Sequence, residues 1–386
     1  MDQRTIQILF ALLHSAICGT KLTEEEKRDY MPDLLPDMQR MASKHDVAHL
    51  LICGLMQNEL VSKEQYDLDT NILNAIFRYE QIRFEYENLC AAFEKAQIPF
   101  LPLKGSVIRK YYPEEWMRTS CDIDILVHRE DLDSAIKYLV DNYRYVKKER
   151  TTHDVSLFSP SGIHIELHFD LVEEGSAQNA LDVLKTVWEN VTLHENSAYR
   201  YDMPDDYFYF YHIAHMAKHF ETGGCGIRPF IDLWILDNVA KVDRSACDTL
   251  LMKGDLLQFA NASRTLSAVW FGGEAPDAVS LELQDFILHG GVYGSTDNRV
   301  ALQQTKRGGR LGYLLSRIFV SSDRLKRYYP ILEKHSWLMP VMQVRRWFML
   351  LKPDVAEMAK REIAVNNTVD SNYSMQLSAL QKKIGL

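Results

Sequence analysis

The segment Cys121-Asp-Ile-Asp-Ile-Leu-Val-His128 decides the fold and the site of this chain, because polar and apolar residues alternate at its start. Alternation with a period of two predicts a β-strand whose every second side chain points to the same face of a sheet. Asp122 and Asp124 should therefore project together, whereas Ile123 and Ile125 face the apolar side. Two adjacent carboxylates repel each other and are costly to bury unless a cation lies between them. Such hard oxygen ligands favour Mg²⁺ or Mn²⁺.

A third acid lies on a later strand pattern, Ile163-His-Ile-Glu-Leu-His168. Glu166 alternates with apolar neighbours and shares one face of the predicted strand with His164 and His168. If this strand lies beside the first, three acids converge. Two-metal phosphoryl transfer uses such a set, with two acids holding metal ions on a triphosphate and a third helping to activate the incoming hydroxyl. We therefore predict Asp122, Asp124 and Glu166 as both metal ligands and catalytic residues.

A candidate phosphate loop precedes the acid strand. Gly105 lets the backbone approach a phosphate closely, and it opens a short predicted helix whose first N–H groups are free. Ser106 adds a hydroxyl donor, Lys104 a positive charge, and Arg118 a guanidinium that could clamp a phosphate. The other predicted substrate contacts are Ser120, His168, His219 and Arg228. Each part alone is common, so the prediction depends on their order along the chain: strand, Gly-Ser, short helix, acid strand, third acid.

Three histidines recur at helical spacing in the helix predicted from Pro204: His212, His215 and His219. Three interpretations remain open for them. With Asp232 they could form a metal-dependent hydrolase site of the His/Asp kind. They could instead pack at a domain interface, or Lys218, His219 and Arg228 could recognise the substrate. The consecutive aromatic residues 207–211 point all round the same helix, which indicates core packing.

Composition narrows the class of protein. The 386 residues include 44 Lys and Arg against 53 Asp and Glu, a net charge of −9, so no long nucleic acid is expected as a partner. A stretch from Arg299 to Lys352 is locally basic, and it is either a solvated helical face or a surface for an anionic ligand. The six cysteines show no CxxC spacing, which predicts a reducing compartment. No signal-peptide pattern is present, and no apolar run reaches the roughly 18 residues of a membrane span. We expect a soluble cytoplasmic protein without a membrane partner.

The distribution of strand and helix patterns predicts an α+β protein in three parts. Residues 1–96 read as an N-terminal helical arm, and residues 97–203 as a small mixed-sheet α/β core. Residues 204–386 return to helical spacing and form a C-terminal all-helical domain. The last twenty or so residues are polar and are predicted to be poorly ordered.

Together these features resemble the nucleotidyltransferase superfamily related to DNA polymerase β, which combines Gly-Ser, Asp-x-Asp and a distant third acid. More narrowly, the chain resembles a family of uncharacterised bacterial nucleotidyltransferases over most of its length. The matching segments are Leu103-Lys-Gly-Ser106, Arg118-Thr-Ser-Cys-Asp-Ile-Asp-Ile-Leu126, Ile165-Glu-Leu-His168, His215–His219, Gly226-Ile-Arg228 with Asp232, and Tyr329-Pro330. The resemblance implies a nucleotidyltransferase-like core in which Asp122 and Asp124 bind metal, Glu166 completes the acid set, and Gly105-Ser106 holds the NTP phosphates.

We therefore expect an enzyme that uses Mg²⁺ (or Mn²⁺) to move a nucleotidyl group from an NTP to a hydroxyl acceptor. The sequence does not identify the acceptor, which could be a small molecule, a sugar, a protein or an RNA end. The first alternative is a catalytically silent nucleotidyltransferase fold that binds a nucleotide or a regulatory partner. The second is the His/Asp metal-dependent hydrolase.

Overall fold

The computed structural model of the chain describes residues 2–64, 69–171, 178–240, 242–322, 325–326, 329, 331–349 and 353–386. Pro330 of the Tyr329-Pro330 motif and Lys352 of the basic stretch lie outside these ranges. The α-helices are α1 (Gln3–Cys18), α2 (Glu24–Asp29), α3 (Leu35–Lys44), α4 (Ala48–Gln57), α5 (Thr70–Ala96), α6 (Gly105–Ile108), α7 (Leu132–Tyr143), α8 (Gln178–Leu184), α9 (Asp205–Thr222), α10 (Arg228–Ile235), α11 (Arg244–Lys253), α12 (Leu257–Phe271), α13 (Ala278–His289), α14 (Thr296–Lys306), α15 (Arg310–Ile318), α16 (Ile331–Lys334), α17 (Met339–Met349), α18 (Pro353–Thr368) and α19 (Ser371–Lys383). Within the described ranges, no helix combines the length and the apolar character needed to cross a lipid bilayer.

A five-stranded mixed sheet forms the centre of the predicted core. Its strands are β1 (Phe100–Pro102), β2 (Asp122–Val127), β3 (Val146–Arg150), β4 (Asp154–Phe158) and β5 (His164–His168), and a separate two-stranded sheet joins β6 (Thr192–Leu193) to β7 (Tyr201–Asp202). The spatial order of the large sheet is β1-β2-β5-β4-β3. Strands β2 and β5 are parallel, and every other neighbouring pair is antiparallel. The predicted α+β class with a mixed sheet and a helical C-terminal region is confirmed.

The two faces of the sheet differ sharply in polarity. Ile123 and Ile125 of β2 are completely buried and pack with Phe93 of α5 and Leu139 of α7 in one hydrophobic cluster. The alternate residues of β2 and β5 project from the other face, where the register pairs Asp124 with Glu166. Apolar burial on one face therefore fixes the register, because a slip of one residue would turn both isoleucines away from the core.

The helices before and after the sheet share a second hydrophobic core. Its residues run from Ile6 in α1 to Ile384 beyond α19. Phe10 of α1 stacks on Trp270 of α12, with ring centroids 4.2 Å apart. The N-terminal arm is therefore packed against the C-terminal helices rather than extended from the core. The division of the chain at residues 96 and 203 stays a prediction.

The last segment of the chain departs from the sequence-based prediction. The expected poorly ordered end is instead helix α19, capped by the Asp370 side chain at its N-terminus. Leu377 and Leu380 of this helix are buried, and so is Ile384, the residue that follows its last turn. The prediction was wrong because it was based on the polar average composition of the segment, which does not reveal an amphipathic helix with a narrow apolar stripe.

Candidate active site

The predicted acids lie side by side on the polar face of the sheet. Parallel pairing of β2 with β5 sets Asp124 beside Glu166 and Asp122 beside His164. Oxygen and nitrogen atoms of Asp124, Glu166 and His168 lie within 4.8 Å of one another, and so do those of Asp122, His164 and Glu166. Glu166 thus belongs to two adjoining groups that could hold a metal ion.

Two cationic side chains surround Asp124, which is only 4% exposed. Lys104 Nζ donates a hydrogen bond of 2.8 Å to Asp124 Oδ1 and lies 3.8 Å from Glu166 Oε2. His168 Nε2 lies 2.9 Å from the same Asp124 oxygen. Burial by itself would raise the pKa of Asp124, but Lys104 and His168 lower it overall. Burial likewise opposes protonation of His168, yet its hydrogen bonds to Asp124 and Glu166 raise the pKa of His168 to about 9.

Asp122 is compensated by the more distant charges of Lys104 and Arg228. Among the described residues, no side chain or backbone group donates a hydrogen bond to its carboxylate. Burial, followed by the charge of Asp124, raises the pKa of Asp122. A cluster of three carboxylates with one unpaired member fits a hard divalent cation. Asp122, Asp124 and Glu166 are the residues that would hold it.

The loop before α6 has a strained backbone. Lys104 adopts φ 46° and ψ −120°, a conformation that residues other than glycine rarely occupy. This backbone conformation points the Lys104 ammonium towards the acids. It also brings the start of α6 to the same region. Arg109, which the sequence did not single out, stabilises this loop from behind. Its guanidinium donates to the Gly105 carbonyl at 2.8 Å and to Ser120 Oγ at 3.1 Å.

A cavity of about 310 Å³ connects the sheet, the loop and the C-terminal helices. The predicted site residues on its lining are Lys104, Gly105, Arg118, Ser120, Asp122, Asp124, Glu166, His168, His219 and Arg228. Ser106 is half-buried and is not part of the lining, so its contact with phosphate stays a prediction. The volume falls at the lower end of the range typical of small-molecule sites.

The structure places Arg118 in a buried ion pair instead of leaving it free for phosphate. Arg118 Nε and Nη2 each lie 2.7 Å from an oxygen of Asp232, and Nη1 donates to the Thr119 carbonyl. The Tyr112 hydroxyl donates to the same Asp232 carboxylate at 2.6 Å. Burial would raise the pKa of Asp232, but Arg118 lowers it overall. This network holds the segment before β2 against α10, and the phosphate role predicted for Arg118 stays a prediction.

The histidines of α9 line the cavity together with Asp232 but form no candidate metal site with it among the described residues. His212 Nε2 hydrogen bonds the Pro229 carbonyl at 2.9 Å, whereas His215 and His219 lie together, with their Nε2 atoms 3.3 Å apart. Within the described ranges, no metal-ligand group includes these histidines, so the geometry gives no support to the His/Asp hydrolase. The aromatic residues 207–211 are all buried, as expected for core packing.

Several cavity residues escaped the sequence-based prediction. Asp154 and His153 of the β4 region line the cavity beside His168. The alternation of polar and apolar residues in β4 could have indicated Asp154. In the structure Asp154 pairs with His168 of the neighbouring strand. His45 and Tyr293 also line the cavity, although they lie far from the motifs in sequence. Nothing in their local sequence indicates this position, because it results from the packing of helical segments that precede and follow the sheet.

Comparison with known proteins gives a match to a family model. No curated protein and no solved structure matches the chain. The model of a family described as "Uncharacterised nucleotidyltransferase" matches residues 35–272, more than half of the 386 residues. The match covers the acid strands, the Gly105 loop and helices α9 and α10. The chain therefore belongs to this family of uncharacterised nucleotidyltransferases.

Proposed function

We propose that this protein transfers a nucleotidyl group from an NTP to a hydroxyl acceptor with the help of Mg²⁺ or Mn²⁺. The observation that carries the proposal is the register of β2 on β5, which sets three carboxylates side by side at the base of a cavity. In such a transfer the acceptor oxygen bonds to the α-phosphorus, the bond from that phosphorus to the bridging oxygen breaks, and pyrophosphate leaves. Family membership supports the reaction class and an NTP as the donor.

Each group in the cavity has a proposed task. Asp122, Asp124 and Glu166 would hold the metal ions, which supply positive charge to the triphosphate when bound. Glu166 is the most exposed carboxylate of the Asp124 group, with 25% of its side chain accessible, so it would also accept the proton of the acceptor hydroxyl. The Gly105 loop would receive the phosphates. Lys104 compensates Asp124 and Glu166, and it would turn towards phosphate once a metal ion replaces it there.

The proposal is tested by exchanging one oxygen for nitrogen at Asp124. We expect Asp124→Asn to lose about two or more orders of magnitude of NTP-dependent labelling of acceptors in a cell extract, because the amide cannot replace a charged metal ligand. Glu85→Gln is the matched control. Glu85 is another carboxylate that is only 5% exposed, and it accepts hydrogen bonds from Tyr145 and Ser161 outside the cavity. Labelling that persists in Asp124→Asn would disprove the catalytic assignment.

A second measurement separates the enzyme from the catalytically silent alternative. Ligands that bind only the folded state raise its stability by about 2.7 kcal/mol when present at 100 times their dissociation constant. We expect Mg²⁺ and NTP together to raise the melting temperature more than either alone. Stabilisation by Mg²⁺ and NTP without labelling of any acceptor would favour a silent binding protein.

A further inference from the structure

Part of the cavity lining belongs neither to the acid set nor to the Gly105 loop. We call it the helical wall and define it by His45, Lys218, Gly226 and Arg228. Lys104 pairs with Asp124 and Arg118 with Asp232 on the lining, and Arg228 of the helical wall pairs with the part-exposed Asp46. The helical wall contributes the cationic side chains of Lys218 and Arg228 to a cavity whose sheet side is acidic. Such a separation of charge favours a ligand with an anionic end.

His45 is the most unusual member of the helical wall. It follows α3, has no exposed surface, and comes from a part of the chain 77 residues before Asp122 (122 − 45 = 77). Neither ring nitrogen makes a hydrogen bond of normal geometry with the described residues, although Leu288 lies nearby. Buried polar groups are almost always paired, so an unpaired one at a cavity indicates a missing partner such as a ligand. Burial lowers the pKa of His45 to about 4, which leaves a neutral ring with one N–H donor at physiological pH.

Arg228 offers a second unpaired donor on the same lining. Its Nη1 donates to Asp46 Oδ2 and to the Thr119 carbonyl, both at 3.1 Å. Its Nε is buried and has no acceptor in the described part of the chain. Arg228 is also the first residue of α10, where the helix dipole adds partial positive charge. A guanidinium with an unpaired Nε–H at a helix N-terminus is suited to an anionic oxygen.

We propose that His45 and Arg228 form a subsite for an anionic oxygen group of the substrate, a phosphoryl or carboxylate group. The assignment of this group to a substrate rests on the nucleotidyl transfer proposed above. Two sources of the group fit the position. It is either the terminal phosphate of the NTP or an acidic group on the acceptor, which would then be an anionic hydroxyl compound.

Inorganic phosphate tests the subsite without metal or catalysis. We expect the full chain to bind phosphate in the presence of EDTA by titration calorimetry, and Arg228→Gln to weaken this binding by about tenfold or more, the usual effect of losing one hydrogen bond to a charged group. Asp46, with 42% of its side chain exposed, can hydrate when Arg228 is replaced, so the fold should persist. Failure of the unaltered protein to bind phosphate, or equal affinity in Arg228→Gln, would overturn the subsite.

The His45→Leu variant distinguishes a binding role from a structural one. Replacing an unpaired buried polar group with an apolar side chain should keep or raise the melting temperature while weakening phosphate binding. The matched control is His14→Gln, because His14 is a partly buried histidine that lines a different pocket. Its phosphate affinity should equal that of the unaltered protein. Normal phosphate affinity in His45→Leu would remove His45 from the subsite.

Competition with ATP and Mg²⁺ identifies the source of the anion. If ATP displaces phosphate and Arg228→Gln weakens ATP binding, the subsite holds the terminal phosphate of the NTP. If phosphate and ATP bind together and Arg228→Gln changes only phosphate binding, the subsite holds the acceptor. Either result supports the subsite, and both are independent of the Asp124→Asn labelling experiment. A failure of labelling and a failure of phosphate binding can therefore be told apart.

Discussion

The ion pair of Arg118 with Asp232 gives a quantitative test of how this fold is held together. Asp232 is 1% exposed and Arg118 is 9% exposed, and the pair joins the segment before β2 to α10 through two 2.7 Å contacts. Asp232→Leu leaves the buried Arg118 charge without its ion-pair partner, and Arg118→Met leaves the Asp232 carboxylate with the Tyr112 hydroxyl as its remaining side-chain donor among the described residues. Removing one partner of a buried pair typically costs about 3–5 kcal/mol, so each single variant should lose stability of this order.

The double variant should lose less than the sum of the two single losses. With both charges gone, the main remaining penalty is the unpaired Tyr112 hydroxyl, about 1–3 kcal/mol. The assay is urea unfolding followed by tryptophan fluorescence, with a double-mutant cycle to extract the coupling. Asp29→Asn is the control, because Asp29 pairs with Arg4 at 3.1 Å while 50% and 47% of the two side chains are exposed, and exposed pairs are worth about 1 kcal/mol or less.

Additive losses in the double variant would refute this account of the pair. The double variant also tests the phosphate contact predicted for Arg118. A folded double variant that binds NTP as tightly as the unaltered chain would show that Arg118 serves only to hold the fold. A loss of NTP affinity larger than the loss shown by Asp29→Asn would support the phosphate role of Arg118.

Two further predictions follow from burial. Burial, followed by the charge of Lys44, lowers the pKa of His45 from 6.5 to about 4, so the unfolded chain binds more protons than the folded chain between these pH values. The free energy of unfolding should therefore fall by up to about 3 kcal/mol as the pH falls through this window. In urea titrations at pH 7 and pH 5, His45→Leu should reduce that fall. Ile384→Ala, at the residue that ends α19, should cost about 2–5 kcal/mol because it leaves a cavity beneath the helix end, whereas Met375→Ala, at a 60% exposed position within α19, should change stability by less than about 0.5 kcal/mol. Equal effects would contradict the packed position of α19.

The acid strands were predictable because local rules decide them. Alternation in residues 121–128 and 163–168 identifies each strand and the face of each acid without reference to the rest of the chain. The parallel pairing of β2 with β5 was only a condition of the prediction, since α7 and two strands lie between them in sequence. The geometry of the acids is thus a consequence of both local pattern and long-range pairing.

The position of Arg118 could not be predicted from its neighbours. A guanidinium before the acid strand is compatible with phosphate binding, but its actual partner, Asp232, lies 114 residues away. His45 illustrates the same limit, since only the packing of α3 near residues 288–292 brings it to the cavity. The C-terminal helix α19 was not predicted because its few apolar residues stabilise it only when they are buried against the rest of the core.

The sequence by itself determined the strands, the facing of Asp122, Asp124 and Glu166, and the class of reaction that such acids serve. These follow from the two-residue period of a strand and from the chemistry of carboxylates, which need no knowledge of distant residues. Only the tertiary structure decided which cations compensate the acids, that Arg118 is held by Asp232, and that helical segments from before and after the sheet complete the cavity. Those contacts join residues far apart in sequence. They form only when apolar surfaces from several distant segments are buried together, so no short segment can predict them.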